Sequence, residues 1–183
     1  MKNTSINDVR HTYVDGSKVA VRYRPGQTDN LVVFIHGLAA SSKSFSKAWD
    51  SSELKDISLL AFDLPGFGLS EAPSQYLYRL EDHAHVCELL LAQFPAKRVH
   101  IVAHSMGGTT GLILTRKFLP ASFVNIEGNM IGADCKESRI IAATSESDFV
   151  KVGFDRLKQS WSGYPENCFD LINVKTEAIY RSA

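Results

Sequence analysis

Apolar residues along this chain keep two rhythms. Unbroken apolar runs occur at Leu31–Ile35, Ile57–Phe62 and Val99–Ala103, and a shorter one lies within Ser122–Ile126. Each is too short for a helix, and apolar side chains at consecutive positions are expected of strands buried on both faces of a parallel sheet. Between the runs the spacing changes to three and four. Phe45, Ala48, Trp49 and Leu54 predict a helix over Ser44–Leu54 with Ser44 as its N-cap. Leu80, Ala84, Cys87, Leu91 and Phe94 predict a second that ends before Pro95, and a third follows Ser105 to about Leu119, where Pro120 stops it. Repeated alternation of strand and helix predicts an α/β chain with a doubly wound, mostly parallel sheet. Ahead of it, the alternating segments Val9–Val14 and Lys18–Tyr23 flank the turn pair Asp15-Gly16 and predict an antiparallel β-hairpin at one edge. After Gly128 only the helical rhythm remains: Val150, Phe154, Leu157 and Trp161 are spaced by four, three and four, behind Ser145 and Asp148 as a capping box. Residues 1–129 therefore read as the α/β core and 130–183 as a helical cap segment with no further buried strand.

The abrupt end of the Val99 run carries the chemistry. A β-branched strand stops at His104-Ser105, and Met106-Gly107-Gly108 open a helix, which predicts a very tight turn with the serine hydroxyl pushed out of the sheet. Small neighbours are needed where strand and helix backbones come close, and Ala103, Gly107 and Gly108 supply them. Ala103 stands where the usual G-x-S-x-G pattern has glycine; alanine fits a cramped position but does not take positive φ cheaply. Ser105 is the candidate nucleophile. A small-x-S-x-G match alone is also met in turns without chemistry, so the neighbouring loops decide its weight.

Composition narrows the partner more than the fold. The 183 residues hold twenty Lys and Arg against twenty Asp and Glu, with no dense basic stripe, so there is no electrostatic footprint for nucleic acid. A small uncharged molecule is the expected partner. Cys87, Cys135 and Cys168 are widely spaced, without C-x-x-C or histidine clustering, which argues against a disulfide framework and a zinc site. Reduced thiols in a cytoplasmic protein are expected, with Cys87 a buried packing residue on its helix. The first sixteen residues are polar and no apolar run approaches the length of a membrane span, so a soluble, unexported chain is expected. Oligomeric state is not legible.

In an open parallel sheet, ligands gather beyond the carboxyl ends of the strands. Three unusual loops begin there: His36-Gly37-Leu38, Asp63-Leu64-Pro65-Gly66-Phe67-Gly68-Leu69-Ser70, and His104-Ser105-Met106-Gly107-Gly108. In this order the motifs H-G-x, D-x-P-G-x-G-x-S and H-S-M-G-G resemble the α/β-hydrolase family, over roughly Val9–Ile126. The resemblance implies a serine nucleophile at Ser105, an oxyanion hole made by the backbone N–H groups of Leu38 and Met106, and no metal or organic cofactor. It also implies supporting roles for Gly37, His104, Gly107 and His36, the last holding the oxyanion loop in shape. Strand alternation turns His104 away from its neighbour Ser105, so it is not expected to serve as the base.

A serine hydroxyl needs a base, and the base an orienting acid. The family's chain order is nucleophile, acid, histidine, yet His11, His36, His83, His85, His100 and His104 all precede Ser105. The expectation is that the sequence stops inside a helical cap, with the last core strands and the histidine beyond Ala183; a natural short protein is the alternative. Glu127 closes the fourth core strand, the position from which certain haloalkane dehalogenases supply their acid. Two other readings of Glu127 stand beside that one: a carboxylate hydrogen-bonded to loop amides, or one fastened to Asp134, Ser138 and Arg139 of the cap. Because family members that open carbon–halogen bonds or epoxides use an aspartate in place of Ser105, the resemblance favours a serine hydrolase of carboxylic ester or related acyl substrates. Carbon–carbon hydrolysis, acyl transfer and cofactor-free perhydrolysis remain compatible with it. The reading from another class is a non-catalytic small-molecule binding protein that kept the pocket and lost the base.

Overall fold

The structure is a computed structural model and describes residues 5–94, 96–163, 169–170 and 175–183. Pro95, expected to end the second helix, and Cys168, expected to be a reduced thiol, lie outside them. Six strands form one sheet: β1 Arg10–Val14, β2 Ser17–Arg24, β3 Asn30–Ile35, β4 Ser58–Phe62, β5 Arg98–His104 and β6 Ser122–Ile126. Their order is β1-β2-β4-β3-β5-β6. β1 and β2 are the predicted hairpin, closed by Asp15 and Gly16 with φ of 48° and 75°, the doubly positive geometry that matches strand twist. β2 runs antiparallel to β4, and the three pairings of the remaining strands, β4 with β3, β3 with β5 and β5 with β6, are all parallel.

This order fixes where a ligand can go. From β3 the chain crosses to β4 on one side, and from β4 it crosses back over to β5 on the other. The direction of winding therefore reverses between β3 and β5, and the crevice at such a reversal lies beyond the carboxyl ends of those two strands. Alternate residues of each strand feed opposite faces. Val33, Ile35, Leu60, Ile101 and Ala103 pack with helices α2 (Leu80–Leu91) and α3 (Met106–Leu114), while Val32, Phe34, Leu59 and Ala61 pack with Phe45 and Trp49 on the other face. Cys87 is buried on the inner side of α2, and burial pushes its thiol up. β6 is an edge strand among the described residues, and its outer side chains Val124 and Ile126 are exposed.

Three expected elements differ. The helix predicted over Ser44–Leu54 is broken into one turn at Ser42–Phe45, α1 at Ser46–Trp49 and another turn at Ser52–Leu54, and the capping side chain is Ser41 rather than Ser44. Tertiary partners take the backbone groups a longer helix would use: Ser42 N–H donates to Asp63 Oδ1 at 2.8 Å, and the Arg24 guanidinium donates to the carbonyls of Trp49 and Leu54. α3 ends at Leu114, five residues early, because Thr115 Oγ1 donates to the Leu112 carbonyl and tighter three-residue turns close through Arg116 and Lys117. The third difference lies beyond the sheet.

After residue 130 come α4 (Lys136–Ala142), a continuous helical run of α5 (Glu146–Asp148), a wide π turn (Phe149–Gly153) and α6 (Phe154–Ser160), and then α7 (Thr176–Ser182). Ser145 caps the run as expected, accepting from Asp148 N–H at 3.2 Å. Val150, however, is exposed and Phe149 is buried in its place. Phe154 N–H bonds back five residues to the Phe149 carbonyl, so the π turn moves the inward position one residue toward the N-terminus. No strand occurs among the described residues of this segment, and among them no helix is long and apolar enough to cross a membrane. The segment seats on the core through main-chain bonds from Asp170 N–H to the Ala39 carbonyl and from Lys175 N–H to the Gly66 carbonyl. Gly66 is required there: a Cβ would stand 2.6 Å from Ala178 Cβ, at a φ of 85°.

Candidate active site

Ser105 joins β5 to α3 with φ 50° and ψ −123°, a left-handed conformation that costs a non-glycine residue on the order of 1–3 kcal/mol. The surroundings hold it there. Ser105 N–H donates to the Ile126 carbonyl at 2.8 Å, and its own carbonyl accepts from Gly108 N–H at 2.7 Å. A Cβ at Gly107 would lie 2.4 Å from the Ile35 carbonyl oxygen and 2.5 Å from that of His36, so the helix can approach β3 only with glycine at this position. Ala103, the departure from the usual pattern, is fully buried and sits opposite Gly111, whose own lack of a side chain leaves the methyl its space. No side-chain cap bond occupies the Ser105 hydroxyl.

Leu38 and Met106 stand with Ser105 on the wall of a cavity of about 380 Å³. Met106 opens α3, so its N–H has no partner within the helix, and Leu38 follows Gly37 in a tight turn where Ala39 has φ 55°. Gly37 is the point of closest approach, since a Cβ there would meet Ser105 Cβ at 3.0 Å and His104 Nδ1 at 3.1 Å. Behind this turn, His36 Nε2 accepts from Leu64 N–H at 2.9 Å, which leaves Nδ1–H to donate to the Gly37 carbonyl at 2.8 Å. Burial pushes the His36 imidazole down, so it stays neutral and ties the Leu38 turn to the loop after β4. Asp63 anchors that loop, accepting from Arg22, from Leu69 N–H and from both the N–H and hydroxyl of Ser42. Burial alone would raise its carboxyl, but the Arg22 guanidinium and the hydrogen bonds from Leu69 and Ser42 together hold it below the usual range.

Glu127, also at positive φ, follows β6 and reaches the same cavity, with its Oε2 3.8 Å from His104 Nε2. The carboxylate is 84% exposed on its side chain. The ion pair it forms is with His104, while Asp134 accepts the N–H groups of Met130 and Ile131. His104 lines the cavity beside Ser105, against the expectation from strand alternation. The reason is local: Ser105 has left the extended conformation, so the rule of opposite faces ends one residue earlier. Among the described residues no group of three or more His, Cys, Asp or Glu side chains converges as metal ligands would.

The segment after 130 supplies further wall residues, of which the helical spacing marked Trp161 but not Phe169 or Ser182. Trp161 and Phe169 stack with ring centroids 4.3 Å apart and give the cavity an apolar side. Ser182 of α7 lines it too, and its Oγ lies 3.1 Å from Nε2 of His83, whose Nδ1 lies 2.9 Å from the Tyr76 hydroxyl. His83 and Ser182 are 99 residues apart, a separation that leaves no trace in spacing along the chain.

Comparison with known proteins finds the same architecture. Residues 30–128 match the model of the alpha/beta hydrolase fold family. Over 97 residues the chain is 39% identical to the probable lysophospholipase BODYGUARD 4 of Arabidopsis thaliana, a match covering 52% of this chain and 23% of that protein. It is 30% identical over 108 residues to the uncharacterized hydrolase YugF of Bacillus subtilis, covering 59% and 39%. The match thus spans well under half the length of either relative. Among solved structures, the esterase EaEST from Exiguobacterium antarcticum superposes with a TM-score of 0.74 at 17% identity, over 94% of this chain and 72% of that one. The bottromycin epimerase BotH does so with a TM-score of 0.74 at 20% identity, over 96% and 71%. Likeness at such identity speaks to the fold, and an esterase and an epimerase on one frame show that the frame does not choose the reaction.

Proposed function

The chain belongs to the alpha/beta hydrolase fold family, and from that premise we propose that it is the part of a serine hydrolase that carries the nucleophile and the oxyanion hole for carboxylic ester or related acyl substrates. The observation that supports this most is the strained Ser105 turn, with an uncapped hydroxyl on the wall of a cavity shared with Leu38 and Met106. In this reading Ser105 Oγ attacks the ester carbonyl carbon while its proton passes to a base. The N–H groups of Leu38 and Met106 donate to the oxygen that becomes negative, each worth on the order of 3 kcal/mol in the transition state. Collapse expels the alcohol, and water then releases the acid from the acyl-enzyme. Glu127 is the acid that orients the base. Relatives bearing lysophospholipase and hydrolase names support an acyl ester whose chain lies along Trp161 and Phe169. The free thiols of Cys87 and Cys135 support a cytoplasmic setting.

The base is assigned outside these residues. No histidine follows Ser105, His36 has both ring nitrogens committed to backbone partners, His83 is buried and neutral, and His104 turns Nε2 toward Glu127, 3.8 Å away, and Nδ1 toward Gly37. The same observation favours a second reading, a pocket that binds acyl compounds without reacting. Treating the chain with a fluorophosphonate, with and without added imidazole, separates the two. The hydrolase reading expects slow labelling confined to Ser105, faster with imidazole as a substitute base and lost in Ser105→Ala, all read by mass spectrometry. Absence of labelling under both conditions leaves the binding protein.

A further inference from the structure

One side chain on the cavity wall has no part in that chemistry. Ser182, in the last turn of α7, is 7% exposed and lines the cavity that Ser105 opens into. Its partner His83 lies on α2, and the partner of His83, Tyr76, lies in the loop before α2. The chain of three is complete only when the helical segment is seated on the core. Tyr76, Tyr78 and Phe67 surround the imidazole with their rings.

The chemistry of the three groups sets which way their protons point. Burial pushes the His83 imidazole down to about 3, so at neutral pH it holds one N–H and one bare nitrogen and is too weak a base to activate Ser182. Burial also raises the Tyr76 phenol far above its ordinary value, so that hydroxyl keeps its proton. A phenol donates better than it accepts, because the ring withdraws density from the oxygen lone pairs. Tyr76 O–H thus donates to Nδ1, the ring proton sits on Nε2, and Nε2–H donates to Ser182 Oγ. The proton of Ser182 then has one direction left, into the cavity. An alkyl group laid over it would leave a buried donor without a partner, and a site built around a donor disfavours ligands that lack the matching acceptor.

We propose that Ser182 is a specificity-determining hydrogen-bond donor, oriented by Tyr76 and His83, that selects acyl compounds carrying a second oxygen acceptor, such as a keto or ether oxygen, besides the carbonyl held at Leu38 and Met106. The inference rests on the acyl-site reading of the cavity, and two measurements judge it separately from that reading. The first needs no ligand. Nitrogen-15 NMR of the His83 ring is expected to show the proton on Nε2, with Tyr76→Phe abolishing that preference while keeping the aromatic packing; a proton on Nδ1 in the unaltered chain overturns the inference.

The second measurement is an equilibrium titration, followed by Trp161 fluorescence, with medium-chain carboxamides that differ only by one keto oxygen moved along the chain. At one position the keto oxygen is expected to tighten binding by about three- to tenfold, the range of one hydrogen bond. Ser182→Ala is expected to erase the difference between keto and parent amides, with the parent amide bound at least as tightly as before because the unpaired donor is gone. A gain that survives Ser182→Ala, or no gain at any position, overturns the inference. Failure of the parent amides to bind counts against the acyl-site reading itself, and the His83 tautomer then decides whether the serine is oriented as described.

Discussion

The cavity has two walls made in different ways. On the sheet side, Leu38, Ser105 and Met106 are placed by backbone: two tight turns, a helix start and glycines that admit no methyl group. On the helical side, Trp161, Phe169 and Ser182 are placed by side-chain packing, on elements whose Ile141, Phe149, Ala178 and Ile179 join the main hydrophobic core. The first wall is rigid because its geometry is spread over β3, β5, α3 and the loop after β4, and the second is adjustable because each residue is held by a few side-chain partners, Phe169 for Trp161 and His83 for Ser182. On the proposed reading, reaction geometry sits on the backbone-built wall and substrate preference on the side-chain-built one.

Substitutions of decreasing effect test that contrast. Asp63→Asn leaves the buried Arg22 guanidinium without its countercharge, and is expected to cost about 3–5 kcal/mol in urea unfolding. Gly107→Ala forces a methyl against two carbonyl oxygens of the β3 end and is expected to cost about 3 kcal/mol in the same assay. On the other wall, Trp161→Leu should cost about 2 kcal/mol or less while widening the cavity, seen as tighter binding of bulkier amides. Val150→Ala should stay within about 0.5 kcal/mol, since the π turn places Val150 outside. A loss at Val150 as large as that at Gly107 would remove the contrast altogether.

A pH series sharpens the same comparison. Burial holds the imidazoles of His36 and His83 below the ordinary 6.5, that of His83 at about 3. Between those values the unfolded chain binds protons that the folded chain refuses, so stability should fall as pH drops from about 6.5 toward 3, by at most about 1.4 kcal/mol per pH unit for each group. Asp63, held below its ordinary 3.8, supplies stability that is complete above that value and is lost as pH falls beneath it. His83→Gln should remove its own share of the slope in circular-dichroism melts across this range, and an unchanged slope would show that His83 takes up its proton without unfolding.

Legibility followed the same division. β3 and β4 were readable because burial on both faces makes every residue apolar, and the hairpin because Asp15-Gly16 is chemistry particular to one turn. The Ser105 turn was readable because close backbones demand small residues in a row. The broken helix after β3 was not, since Asp63 and Arg24 capture its backbone groups from a distance. Nor was the inward position of Phe149, because a π turn keeps the composition of a helix and changes its period. The place of His104 was misjudged by applying strand alternation one residue too far, and the partnership of Ser182 with His83 has no local signature.

The helical segment is fastened to the core by two bonds in which no side chain takes part, from Asp170 N–H to the Ala39 carbonyl and from Lys175 N–H to the Gly66 carbonyl. Peptide groups are the same whatever residue they belong to, so the bond made by the N–H of residue 175 survives any substitution there except proline. New pocket linings can therefore be trialled one residue at a time while that attachment is inherited unchanged.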